Sequence, residues 1–333
     1  MTTALVYDEG CLRHDPGPGN PERPDRLRAI ADRLHANHLW EQLVHVPAAP
    51  APASALASLH EAAYVQRFRA ACAAGERFID EEDCGICPLS YEVALRAVGG
   101  TLAAVDAVMA GRHQGQAVHN AFCAVRPPGH HAERSRAMGF CFFNNVALAA
   151  QHLIDRHGLS RIAIVDFDVH HGNGTQHLFE QRRDVLVISL HEHPSFQYPG
   201  TGFAWENGQG AGKGFTVNLP LQPRSGDREY RHAFHNTVLP ALDNFQPQFL
   251  LLSSGFDACA DDPLGHMQVT PMGFAWMTRQ LKMAAERHCG GKLVSVLEGG
   301  YDLRSLAECT ALHVGTLLQP EGHDELMAMK AGM

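Results

Sequence analysis

The stretch "RIAIVDFDVHHGNGTQ", residues 161–176, decides how the chain is read. It opens with four apolar residues, Ile162 to Val165, which suit a strand buried on both faces. It closes with Asp166, Asp168, His170, His171 and Asn173 inside eight positions, too many polar groups for a core. Asp168 and His170 are two apart, so on an extended segment their side chains point the same way. A strand end of this kind works only with partners from elsewhere in the chain.

Working outward, short β-branched runs alternate with longer helical patterns. Strands are expected near 4–7, 117–125, 161–167, 184–190, 215–219, 249–253 and 292–297. Helices are expected over 23–37, 54–74, 90–110, 144–156, 227–244, 271–288 and 303–318. The alternation predicts an α/β fold with a mostly parallel sheet covered on both faces. Four polar clusters each follow a strand: "RPPGHH" (126–131), "DFDVHHGNG" (166–174), "SGFDACADDP" (254–263) and "EGGYD" (298–302). The carboxyl ends of parallel strands face one rim, so the four clusters converge on one crevice.

The composition sets bounds. With 333 residues, 45% hydrophobic and 19% charged, the chain reads as one globular domain, residues 1–320, followed by a loose tail, 321–333. No apolar run approaches the roughly 20 residues of a membrane span, and the N-terminus lacks the pattern of a signal peptide. Nine scattered cysteines read as reduced thiols in a cytoplasm. A net charge of −9 argues against nucleic-acid binding and favours a neutral or cationic substrate. The Pro/Ala-rich 46–55 reads as a connector without chemistry. "GQGAGKG" (208–214) fails as a phosphate loop, and "CGIC" (84–87) is a C-x-x-C without a second pair.

Asp168 and His170, with Asp257 from another strand end, make an open three-ligand site for a divalent metal. A bare D-x-H is more often a hydrogen-bonded polar cluster; the third acid and the histidines opposite reverse that balance. His130 and His131 stand on a turn stiffened by Pro127, Pro128 and Gly129, which suits proton transfer. Asp166 and Asn173 are natural partners for the two rings: Asp favours imidazolium, whereas neutral Asn leaves its histidine easier to deprotonate. Tyr301, after Gly299 and Gly300, is placed to donate to an oxyanion; from its segment alone a packed core tyrosine is an equal alternative.

Taken in order, "RPPGHHA", "GFCFFNNVALAA", "VDFDVHHGNGTQ", "SGFDA", "DPLG" and "LEGGYD" closely resemble the histone deacetylase superfamily, which includes bacterial acetylpolyamine amidohydrolases. The likeness covers residues 7–318 and is nearest the class II branch, where Asn stands at position 173. The resemblance implies a single-domain arginase–deacetylase fold with a central eight-stranded, mostly parallel sheet. It implies zinc on Asp168, His170 and Asp257, with Tyr301 polarising the substrate carbonyl and His130 and His131 held by Asp166 and Asn173. Phe140 and Tyr198 match the aromatic tunnel around an acyl-lysine stem, Gly139 borders it, and Leu264 takes a rim position where a polyamine-specific branch carries Glu. One structural potassium would sit on Asp166, the Ser189 hydroxyl and main-chain oxygens of Asp168, His170 and Leu190. A second would use carbonyls near Phe179, Arg182, Val185 and Phe215. The implied activity is removal of an acetyl or other acyl group from acetyl-lysine or a small acetylated amine, with no nucleic-acid or membrane partner and an oligomer left open.

Two positions depart from the family. "NPERPDR" carries Asn20 where His is common, and Ile86 stands where class I enzymes place an Asp that grips the substrate backbone. Three rival functions remain: an acetylpolyamine amidohydrolase, a dinuclear-manganese ureohydrolase on the same fold, and an idle binding module. The ureohydrolase needs more bridging Asp residues than the chain offers, and the intact ligand set argues against the module.

Overall fold

Residues Ile162–Asp166 form a strand whose five side chains are all buried. The pleat sends Ile162 and Ile164 into one apolar cluster and Ala163 and Val165 into another, so this strand faces core on both sides. It lies at the middle of a parallel sheet in a computed structural model that describes residues 1–319. The strands in chain order are β1 (Thr3–Tyr7), β2 (Val44–Val46), β3 (Asn120–Ala124), β4 (Ile162–Asp166), β5 (Val185–Glu192), β6 (Thr216–Leu221), β7 (Phe249–Ser254) and β8 (Leu293–Leu297). Their spatial order is β6-β5-β4-β7-β8-β3-β1-β2, with every pair parallel. Two short hairpins, at residues 78–85 and 112–117, stand apart from it.

Helices Ala62–Ala74, Ser90–Ala110 and Asn145–His157 cover one face. Asp25–Ala36, Leu239–Phe245, Pro271–Cys289 and Leu303–Leu318 cover the other. Local signals fix several starts. Asn144 accepts from the Ala147 amide, Thr270 from that of Gly273 with Pro271 next, and Asp302 from that of Ser305.

Some sequence expectations need correction. Seven strands were read from the pattern; β2 has three residues and one neighbour, β1, too short for periodicity to show. The helix expected over 54–74 is two, Ala53–Leu56 and Ala62–Ala74, and the break docks elsewhere. The Glu61 amide donates to the Arg134 carbonyl, and His60 pairs with the Glu133 carbonyl. Residues 46–55 are not an idle connector: Val46 ends β2, and Ala48 and Ala51 are buried in the core. The helix expected over 227–244 carries a π-turn at Phe234–Val238, next to Pro240, which has no amide proton for the ladder. The hairpin at 78–85 and the helix Asn173–Phe179 were not expected either, the helix because its polar start reads as loop. Helix Ser90–Ala110 is, contrary to expectation, long and apolar enough to cross a membrane by length and composition, yet 61% of its apolar window is buried inside the domain. The expected tail, 321–333, lies outside the described residues.

Candidate metal centre

The sheet order explains why four distant clusters meet. Strands β4, β7, β8 and β3 are consecutive neighbours, and each of the four clusters continues from the carboxyl end of one of them. This is also where the chain reverses its winding, since β7 and β8 insert between β4 and β3.

Asp168, His170 and Asp257 are fully or nearly fully buried, with ligand atoms all within 4.8 Å of one another. His170 Nδ1 lies 3.0 Å from Asp168 Oδ1 and 3.2 Å from Asp257 Oδ2. Both carboxylates are also tied to the backbone: the Gly299 amide donates to Asp168 Oδ2 at 2.8 Å and the Val169 amide to Asp257 Oδ1 at 2.8 Å. Asp257 Oδ2 is buried without a hydrogen bond. Burial, and then the charge of Asp168, pushes Asp257 up to about 7. Two close carboxylates, an imidazole nitrogen and an orphan oxygen are what a divalent cation would satisfy. The surroundings are shaped for it: a Cβ on Gly299 would lie 1.9 Å from Asp257 Oδ2, and one on Gly255 2.0 Å from Asp168 Oδ2.

The histidine pair stands beside these ligands. His130 Nδ1 is 2.9 Å from Asp166 Oδ2, and His131 Nδ1 is 2.6 Å from Asn173 Oδ1. The rings are 4.0 Å apart, and the His131 ring is 5.9 Å from that of His170. Burial works against a charged His130, but Asp166 and Asp168 outweigh it and raise its pKa to about 10. Burial, His130 and His170 together hold His131 well below the ordinary imidazole value. The two rings differ, as an Asp partner and an Asn partner would make them.

A pocket of about 200 Å³ leads from the surface to this centre, lined by Asp83, His131, Gly139, Phe140, His170, Gln197, Tyr198, Leu264 and Tyr301. All four residues expected to meet substrate are among them. Phe140 crosses Tyr301 edge to face at 5.7 Å, and Tyr198 crosses His131 at 5.2 Å. Phe140 has φ of +68°, rare for a bulky residue, and the preceding Gly139 has φ of +51° with no room for a Cβ beside His131. Burial raises the Tyr301 phenol well above its usual pKa, so it stays a donor.

The residues expected around potassium are spread over both ends of β5. Ser189 pairs in register with Asp166, and its hydroxyl meets His191 Nδ1 at 2.8 Å. Phe179, Arg182, Val185 and Phe215 gather where β5 begins, at the opposite rim; the Phe179 carbonyl accepts from the Arg182 amide and that of Phe215 from the Val187 amide.

Several important residues were missed or misplaced. Ile86 is buried in the core and has no place at the pocket; the mouth's acid is Asp83, half-buried, with Oδ1 unpaired and its pKa raised by burial. Its neighbours in the acidic loop are spoken for, Asp80 by Arg67 and Glu81 by Arg136 and the Tyr198 hydroxyl. Glu298 accepts from the Gly129 and His130 amides and from Ser253, clamping the histidine turn to β8. Glu22 grips Arg126 and Arg26; burial opposes its ionisation, but Arg126 holds its carboxyl well below the usual range. Arg26 donates to the Gly300 and Glu298 carbonyls and lies 4.9 Å over the Tyr301 ring. Only the charged "NPERPDR" loop signalled this network. Asp262 anchors the Tyr301 and Leu264 amides, and Glu133 accepts from Asn173 Nδ2 at 2.7 Å.

Three buried candidate metal ligands beside a narrow pocket, with a histidine pair next to them, suit a hydrolytic α/β enzyme. The chain belongs to the histone deacetylase family, whose domain profile matches residues 20–317. It is 43% identical over 316 residues to the histone deacetylase-like amidohydrolase of Pseudomonas aeruginosa, covering 90% of this chain and 81% of that one. It is 42% identical over 331 residues to the human polyamine deacetylase HDAC10, covering 96% of this chain but 48% of the relative, so it spans about half of that protein. The crystal structure of the HDA15 HD domain superposes with a TM-score of 0.89 at 37% identity, covering 99% of this chain and 94% of that one.

Proposed function

We propose that this deacetylase hydrolyses the amide of an acetyl-lysine side chain or a small acetylated amine, with zinc held by Asp168, His170 and Asp257. The observation that carries the reading is the open side of the three-ligand cluster, which faces the pocket beside His131 and Tyr301. Zinc bound there supplies Lewis acidity, polarising the acyl carbonyl and lowering the pKa of a water. His131 supplies the neutral imidazole: Nδ1 is taken by Asn173, leaving Nε2 to accept the water's proton. His130, kept charged by Asp166, adds a positive field and a proton beside the leaving amine. The Tyr301 hydroxyl donates to the oxygen on which negative charge develops. Phe140 and Tyr198 flank an aliphatic stem and exclude water, and Asp83 offers an acceptor to an amide N–H or ammonium at the mouth.

Leu264 at the rim offers no charge to a distant ammonium, which supports acetyl-lysine and simple acetylated amines over long polyamines. Potassium on Asp166, Ser189 and the main chain of Asp168, His170 and Leu190, and again near Phe179, Arg182, Val185 and Phe215, would brace β4 and β5. The unpaired cysteines support residence in the reducing cytoplasm. Stripping metal with a chelator should abolish turnover of an acetyl-lysine peptide, and one zinc per chain should restore it. Full activity in metal-free protein would overturn the reading.

A further inference from the structure

Asn173 presents an amide whose two ends differ only by a flip, yet His131 needs one end and not the other. With Oδ1 toward His131 Nδ1, that nitrogen must carry the proton and Nε2 is left as the acceptor. With Nδ2 there, the proton moves to Nε2 and the ring cannot act as a base. Some third group must therefore decide the flip.

The structure assigns that role to Glu133: we propose that its carboxylate, which can only accept, is the positioning residue that turns the Asn173 amide and thereby fixes the His131 tautomer. The inference rests on the functional reading above. Asn173 Nδ2 donates to Glu133 Oε1 at 2.7 Å, and the same oxygen meets His177 Nδ1 at 2.7 Å. The other neighbours of Nδ2, the His131 carbonyl at 3.4 Å and Met138 Sδ at 3.5 Å, are too distant or too soft to decide. Glu133 side-chain exposure is 19%, so its hydrogen bond is shielded without a full burial penalty. Its place in the turn is set independently, by its own amide on the Arg136 carbonyl and by His60 on its carbonyl. An Asp at position 173 would not need this steering, because either oxygen accepts from His131; it would instead face Glu133 with like charge.

That contrast supplies the test. Glu133→Gln, which can donate or accept, and Glu133→Lys, which only donates, are made in the wild-type and Asn173→Asp backgrounds, all zinc-loaded. With Asn173 present, kcat should fall a few-fold for Gln and about a hundredfold for Lys, with KM within about twofold and zinc content and Tm unchanged. In the Asn173→Asp background the order should reverse, both substitutions raising kcat above Asn173→Asp alone. Histidine-ring ¹⁵N NMR, with the His131 signals identified by their loss in His131→Gln, should show the proton on Nδ1 in wild type and on Nε2 in Glu133→Lys. The same order of kcat in both backgrounds, or a wild-type His131 protonated on Nε2, would overturn the assignment. A wild-type protein inactive on every acetylated amine would sink the functional reading instead, and the NMR comparison would still decide the role of Glu133.

Discussion

At the residue scale, the proposed function divides the centre into groups that would hold the metal and groups that would serve the transition state, and substitutions should separate them. Asp257→Ala removes the ligand whose Oδ2 is otherwise unpaired, so zinc content should drop with activity by elemental analysis. Tyr301→Phe should keep zinc and fold while kcat falls about a hundredfold to a thousandfold, because the lost donor acts chiefly in the transition state. A near-normal kcat would return Tyr301 to packing beneath Arg26. Selectivity is a third matter. Leu264→Glu adds a carboxylate at the rim, expected to improve kcat/KM for N8-acetylspermidine relative to an acetyl-lysine tripeptide by about 1–2 kcal/mol. A hundredfold polyamine preference already present in wild type would make Asp83 the group to mutate next.

At the element scale, the histidine turn is held by β8 through Glu298. Glu298→Ala leaves the Gly129 and His130 amides and the Ser253 hydroxyl buried without their acceptor, each lost partner costing about 1–3 kcal/mol. Urea unfolding should show the loss; an unchanged midpoint would mean the turn relaxes onto other acceptors. How legible such elements were follows from how local their signals are. The strand at 162–166 and the helices Ser90–Ala110 and Leu303–Leu318 were read nearly to the residue, because buried runs and caps are written within the segment. Asp168, His170, Asp257, the histidine pair and their partners were legible because each follows a strand. Glu298, Glu133 and Glu22 were not: each acts on backbone or side chains up to 169 positions away, and nothing local marks a carboxylate that holds a turn. At the mouth, the irregular hairpin buries Ile86 and leaves Asp83, three positions earlier in the acidic loop, to line the pocket.

At the scale of the whole molecule, buried neutral histidines tie stability to pH. Burial lowers His60 and His191 to about 4 and His313 to about 3, each ring being occupied by neutral partners. Their folded values lie below the unfolded value of about 6.5, so the unfolded chain binds protons that the fold refuses. The stability they contribute is full above about 6.5 and is lost as pH falls toward 4. Across that window each adds up to about tenfold per pH unit to the unfolding constant. Between pH 7 and pH 5, His313→Asn should change the pH slope of urea stability by up to one proton relative to wild type, in the direction of less loss on acidification. A slope untouched by that substitution would show that His313 is protonated in the fold.

The order of the strands also imposes a timetable on synthesis. β3 and β4 are made early, yet two later strands, β7 and β8, separate them. A nascent chain that has reached residue 240 holds both walls of the centre, with the panel between them not yet made. Its exposed strand edges would invite pairing with each other or with a neighbouring chain. The domain can therefore close only after β8 and the residues near 300 are made, which bring Tyr301 and the carbonyls that Arg26 meets. Chains stalled before β8 should be open to protease throughout, while chains that include residues 1–319 should gain resistance in one step.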